Sequence, residues 1–178
     1  MLGKTRWSLY IGIIVFIIII TSILYKNNNI YGNDEHSIVQ LIQSVEEYKN
    51  AIIEILEIKD IEDDRIVSLL ANDKIGYIRF TKNDDGNYEW IDIHHSVGQD
   101  IVIFFIPQLS ASLEESKLLV ITTEFNNVAK LAVDVNGKIL KQNIPIQEKS
   151  VHWIDLPEGG NYDIGYTYFD EEGNEIVF

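Results

Sequence analysis

Cysteine is absent from the 178-residue chain. That one absence removes disulfides, thiolate nucleophiles, cysteine-based metal sites and a lipid-modified cysteine anchor together. Basic side chains are scarce as well, with 14 Lys and Arg against 28 Asp and Glu. Every acidic residue lies after position 33, where only 11 basic ones remain, so that part of the chain carries a net −17. Such a surface has no surplus of cations to hold phosphates, which argues against nucleic acid, and anionic lipid headgroups repel it. Cations and basic partners are its electrostatically easy ligands. Catalytic signatures are missing too: there is no G-x-S-x-G elbow and neither phosphate-binding glycine pattern, and no Ser, His and acid set is placed together by spacing. No internal repeat or low-complexity tract is present. These absences predict a protein that is not an enzyme and needs no cofactor.

The amino-terminal part holds a long apolar run. From Trp7 to Tyr25 no side chain is charged, and as a helix the run spans about 28 Å, the thickness of a hydrocarbon core. Its isoleucines, with Leu9, Val15, Phe16 and Leu24, favour insertion by about 4 to 6 kcal/mol in total. Trp7, Tyr10 and Tyr25 stand near the ends, at headgroup level, and Lys4 and Arg6 outweigh Lys26 across the run, which points the amino terminus inward. A cleaved signal would have a shorter core followed by small residues. The stretch "TSILYKNNN" offers only Thr21 and Ser22. The expectation is a cytoplasmic tip (1–6), an uncleaved transmembrane signal anchor (7–25), a polar spacer (26–33) and a folded part outside the cytoplasm. Localisation is then the plasma membrane, single-pass. The isoleucine, asparagine and lysine usage is that of an AT-rich genome, as in low-GC Gram-positive bacteria.

Within 34–96, "DEHSIVQLIQSVEEYKN" predicts one amphipathic helix from Glu35 to Asn50, with Asp34 or Ser37 as cap and Ile38, Leu41, Ile42, Val45 and Ile52 on its buried stripe. The period then changes to two. "AIIEILEI", "RIVSLLAN", "KIGYIRFTK" and "NYEWIDIHH" read as strands joined at "KDIEDD", "ND" and "NDDG", an antiparallel meander packed on the helix. After "SVGQD", the 97–178 part reads as seven short strands with no helical period: "IVIFFIP", "KLLVITTEF", "NVAKLAVDV", "KILKQNI", "SVHWIDL", "YDIGYTYF" and "EIVF". Asn136-Gly137 marks a type I′ hairpin between two of them. The predicted class is α+β to mostly β, with a β-sandwich at the carboxyl end.

Leu156, Pro157, Gly159 and Tyr162 in "LPEGGNYDIGYTYFD" carry a resemblance to the tyrosine corner of immunoglobulin-like and fibronectin-III-like domains. The resemblance implies that the Tyr162 hydroxyl bonds backbone a few residues upstream. The chain departs from antibody domains in having no cysteine pair and in placing Trp153 too late for their strand C tryptophan. As a whole it also resembles uncharacterised single-pass membrane-anchored proteins of Gram-positive bacteria, a resemblance that brings no activity with it.

Among candidate sites, Asp92 and His94 share one face of a strand and are the candidates for a divalent ion, while His95 points away with Ile91 and Ile93. Two ligands fall short of a zinc site, and nothing in the spacing brings His36 or His152 to them, so no metal is expected. "KNDDGN" and "FDEEGNE" put carboxylates before glycine without the EF-hand order, and read as tight turns, as do Asp63 and Asp64. Tyr162, Tyr166, Tyr168 and Trp153 offer rings for a sugar-binding strip, but rings of this kind are also what strands prefer. The composite expectation is a non-catalytic, membrane-anchored, extracytoplasmic binding module whose partner is an envelope protein or a cell-wall component. A small-ligand or cation sensor is the alternative, and a surface hydrolase a more distant one.

Overall fold

The computed structural model describes residues 30–107 and 116–177, with Ile17 standing alone before them. The apolar Trp7–Tyr25 run lies outside the described residues, as does most of the polar loop "QLSASLEES". Among the described residues no helix is long and apolar enough to cross a membrane.

Helix α1 spans Glu35–Ser44. Asp34 caps it, its carboxylate accepting from the Ser37 backbone N–H at 2.9 Å, and the Asp34 N–H is answered by the Ser37 hydroxyl in a reciprocal capping box. The helix is shorter than the expected Glu35 to Asn50, for a local reason. The Ser44 hydroxyl donates to the Leu41 carbonyl at 2.6 Å, which is the acceptor that the Val45 N–H would need in a continuing helix. Val45 turns extended, its N–H bonds Ile42 instead, and a 3-10 turn over Glu46–Tyr48 follows. That turn buries the Tyr48 ring, while Ile52, expected on the buried stripe, lies outside the helix and exposed.

Strands β1 (Ile53–Ile61), β2 (Asp64–Ala71), β3 (Lys74–Lys82) and β4 (Tyr88–Val97) form the first sheet in sequence order, all antiparallel. β1 runs through most of the expected "KDIEDD" turn, because Glu62 takes a left-handed backbone (φ 55) and closes the hairpin over two residues. One face of this sheet packs Val67, Leu69, Ile78 and Phe80 against Ile38, Ile42 and Tyr48. Gly76 sits where β3 and β4 come closest, since a Cβ there would meet the His94 carbonyl oxygen at 2.5 Å. The end of the expected spacer is itself docked: Gly32 N–H donates to the Tyr88 carbonyl, and Arg65 reaches the carbonyls of Gly32 and Asn33. The expected spacer boundary at residue 33 therefore lies inside the folded part, which already includes Gly32.

The remaining seven strands divide between two sheets. β5 (Ile101–Ile106), β6 (Lys117–Thr122) and β9 (Ser150–Asp155) pair in the order β5-β6-β9. β7 (Lys130–Val135), β8 (Lys138–Asn143), β10 (Ile164–Phe169) and β11 (Glu175–Ile176) pair as β11-β10-β7-β8. Ile101, Leu118, Val120, Leu131, Val133 and Val135 fill the space between these sheets, a sandwich of antiparallel layers.

A third core joins the two halves of the chain. Ile66, Leu70, Ile75 and Tyr77 of the first sheet pack on Val102, Ile106, Leu119 and Ile121 of the second. The order of layers is thus helix, sheet, sheet, sheet. The middle sheet is covered on both faces, which is why β6 reads as an unbroken "LLVI" rather than as an alternation. Polar ties reinforce the junction: Trp153 Nε1 donates to Glu57 at 2.6 Å, Lys149 pairs with Glu54 at 2.7 Å, and Lys59 lies 4.5 Å over the Trp153 ring.

Candidate functional site

Asp92 and His94 do lie on one face of β4, the face turned toward the sandwich. Asp92 is opposite Arg79, and its Oδ2 accepts from Arg79 Nη2 at 2.7 Å, while His94 Nε2 stands 3.6 Å from Oδ1. The His94 ring stacks on Tyr77 at 5.0 Å. Burial, with the Asp92 charge beside it, pushes the Tyr77 phenol up to about 12. Arg79 thus supplies the positive charge a cation would bring. Asp64, expected as a solvated turn residue, is partly buried here, and desolvation raises its carboxyl above the usual range. Among the described residues no group of three or more His, Asp or Glu is arranged to hold a metal ion. His36 is on α1, bonded to Gln40, and His95 lies on the opposite face, where Nδ1 meets the Tyr48 hydroxyl at 2.8 Å.

The two carboxylate-glycine loops are turns held by their own side chains. Asn83 Oδ1 accepts from the Asp85 and Asn87 N–H groups, and Asp170 accepts from the Asn174 N–H at 2.7 Å. Gly86 and Gly173 supply the left-handed corners. The aromatic residues do not form a strip. Trp153 faces the first sheet, whereas Tyr162 and Tyr168 pack against the sandwich core and Tyr166 is exposed on a different sheet from Trp153. The Tyr162 hydroxyl donates to the Pro157 carbonyl at 3.0 Å, Leu156 is buried in the sandwich core, and Gly159 takes φ +150, a backbone that L side chains rarely adopt.

Strand β9 sets a serine and a histidine two residues apart on one face, a pair that the sequence reading did not bring forward. Ser150 Oγ lies 3.0 Å from His152 Nε2, and the Gln142 amide nitrogen stands 3.3 Å from His152 Nδ1. That amide is a donor, so Nδ1 accepts and the proton resides on Nε2. His152 then donates to Ser150, Ser150 to Thr122, and Thr122 to the Glu148 carbonyl at 2.9 Å. A histidine in that tautomer is turned the wrong way to take a serine proton. Burial holds its imidazole below the ordinary value against an upward pull from Glu57. The array is a chain of hydrogen bonds locking β8 to β9 and β6.

A cleft of ≈ 480 Å³ lies where the two halves meet. Five separate segments line it: the start of β1, the β2–β3 turn, the β4–β5 turn, the loop after β6, and Lys149. Its rim carries two unusually exposed apolar side chains, Ile52 at 80 % and Phe125 at 67 %. Phe125 is held in place by its neighbours. Its N–H donates to the Thr123 hydroxyl, and Thr123 N–H donates to the Asp100 carbonyl. The next residue, Asn126, is fully buried and bonds the Val128 N–H and the carbonyls of Val128 and Pro145 with its side chain. Lys149 bridges the cleft, 2.7 Å from Glu54 of the first half and 3.7 Å from Glu124 of the second, and the bond to Glu54 raises its ammonium above the usual lysine value. Four carboxylates and two lysines line the cleft, leaving it net negative. One signal in the sequence pointed there: "TTEFNN" sets a lone aromatic in a polar loop.

No protein family, no curated protein and no solved structure matches this chain.

Proposed function

We propose that this chain is a non-catalytic binding module of the cell envelope, anchored by residues 7–25 and presenting its folded part outside the cytoplasm. The observation that carries the reading is the exposed ring of Phe125, on a loop whose backbone is held by hydrogen bonds, at the rim of the cleft between the two halves. Leaving a large ring in water forgoes about 1.5 to 3 kcal/mol of burial. A loop pinned by a buried asparagine keeps that ring where a partner can cover it. The apolar, uncharged run Trp7–Tyr25 supports the anchor. The sheet orders β5-β6-β9 and β11-β10-β7-β8, with the Tyr162 to Pro157 bond, support reading the carboxyl half as an immunoglobulin-like or fibronectin-III-like sandwich, a fold that commonly serves in recognition.

The test is crosslinking in living cells with a photoreactive amino acid placed at position 125 of the full chain, and at exposed Ile139 of β8 as control. A discrete, reproducible adduct from position 125 and none from position 139 is expected. Equal adducts from both positions, or none from 125, would overturn the reading.

A further inference from the structure

We infer that the cleft takes an extended peptide segment in which an aliphatic or aromatic side chain stands beside a lysine or arginine. The inference rests on the binding-module reading and adds the chemistry of the partner. The rim asks for an apolar side chain: Ile52 and Phe125 come from different halves of the chain and both are mostly exposed, so a side chain inserted between the halves covers both. The lining asks for a cation. Glu54, Asp73, Asp100 and Glu124 outnumber the two lysines, and neither lysine is idle, since Lys149 pairs with Glu54 and Lys74 with Glu47 at 2.6 Å.

The same charge argument selects among occupants. A second copy of this chain brings its own net −17 after position 33 and is repelled. Anionic lipids and polyanionic wall polymers are repelled likewise, and nucleic acid has no cationic surface to rest on. A peptide also suits the cleft's edge and size. The cleft opens onto the first residues of β1, an outer strand of the first sheet, and outward-facing backbone of an edge strand is what an extended segment pairs with. Its volume falls within the range of sites that hold a few residues or a small molecule.

The experiment uses the full chain in detergent micelles and a set of fluorescein-labelled pentapeptides pairing Lys or Arg with Leu, Ile, Phe or Tyr, read by anisotropy. Matched sets replace the basic residue by Glu or the apolar one by Ser. Basic-apolar peptides are expected to bind at least tenfold more tightly than either matched set, with binding falling as salt rises. Phe125→Ser should weaken that binding at least tenfold and Glu124→Gln severalfold, while Ile139→Ser leaves it unchanged. Equal binding of the Glu peptides, no binding by any basic-apolar peptide up to millimolar concentration, or indifference to Phe125→Ser overturns the inference. A position-125 adduct in cells together with silent basic peptides means that the ligand chemistry is wrong while the module reading stands. Silence in both experiments removes both.

Discussion

Replacing Leu119 by alanine tests whether the two halves form one cooperative body. Leu119 is fully buried on β6 and belongs to the core that joins the first sheet to the second, not to the core inside the sandwich. The substitution removes three carbons, about 2.4 kcal/mol at about 0.8 kcal/mol per buried methylene, and the residual cavity brings the expected cost to about 3 to 4 kcal/mol. For a chain of this size that is a fall in Tm of about 6 to 16 °C. Hydrogen exchange followed by mass spectrometry on the full chain reads where the loss is felt. If the shared core makes one folding unit, amides of β2 and β3 should lose protection by the same factor as those of β7 and β10. A loss confined to the second and third sheets, with β2 and β3 unchanged, or a cost below about 1 kcal/mol, would refute the reasoning that this core is continuous and tightly packed.

Three further outcomes are expected. Gly76→Ala places a methyl 2.5 Å from the His94 carbonyl oxygen, backbone that moves only by opening the β3–β4 ladder, and should cost about 1 to 3 kcal/mol in denaturant titrations; a neutral result would mean the ladder is looser than its register. Tyr162→Phe removes the bond to the Pro157 carbonyl and should cost about 1 kcal/mol in the same assay, with the fold retained by circular dichroism. The His152 imidazole is held below its ordinary value by burial, so the unfolded chain takes the proton more readily than the folded one. Its contribution to stability is present above 6.5 and is lost as pH falls from there through the lowered folded value. His152→Gln should flatten the fall in denaturation midpoint between neutral and mildly acidic pH, and an unchanged slope would contradict the buried, Gln142-bonded tautomer.

The sequence by itself determined the local elements. Period-two alternation and short apolar runs between turn signals placed the described strands, because a strand that presents one face to a core alternates and one covered on both faces, as β6 is, does not. Asp34 with Ser37 announced the helix start, and Asn72-Asp73, the "NDDG" stretch and Asn136-Gly137 announced three of the hairpins, since those turns are decided by the residues within them. The helix end was hidden, because it depends on one serine hydroxyl taking one carbonyl. The four residues of the tyrosine corner were legible for the same reason the turns were: they lie within seven positions of one another. What only the tertiary structure decided is everything that joins distant segments. The third core between the halves looked in sequence like two ordinary half-buried sheets, since an apolar strand does not say what covers its second face. Glu57 with Trp153, Ser150 with Thr122, and the cleft's five lining segments are contacts of high sequence separation. Side-chain period reports which way a residue points, and only the packing of one sheet on another reports what it meets there.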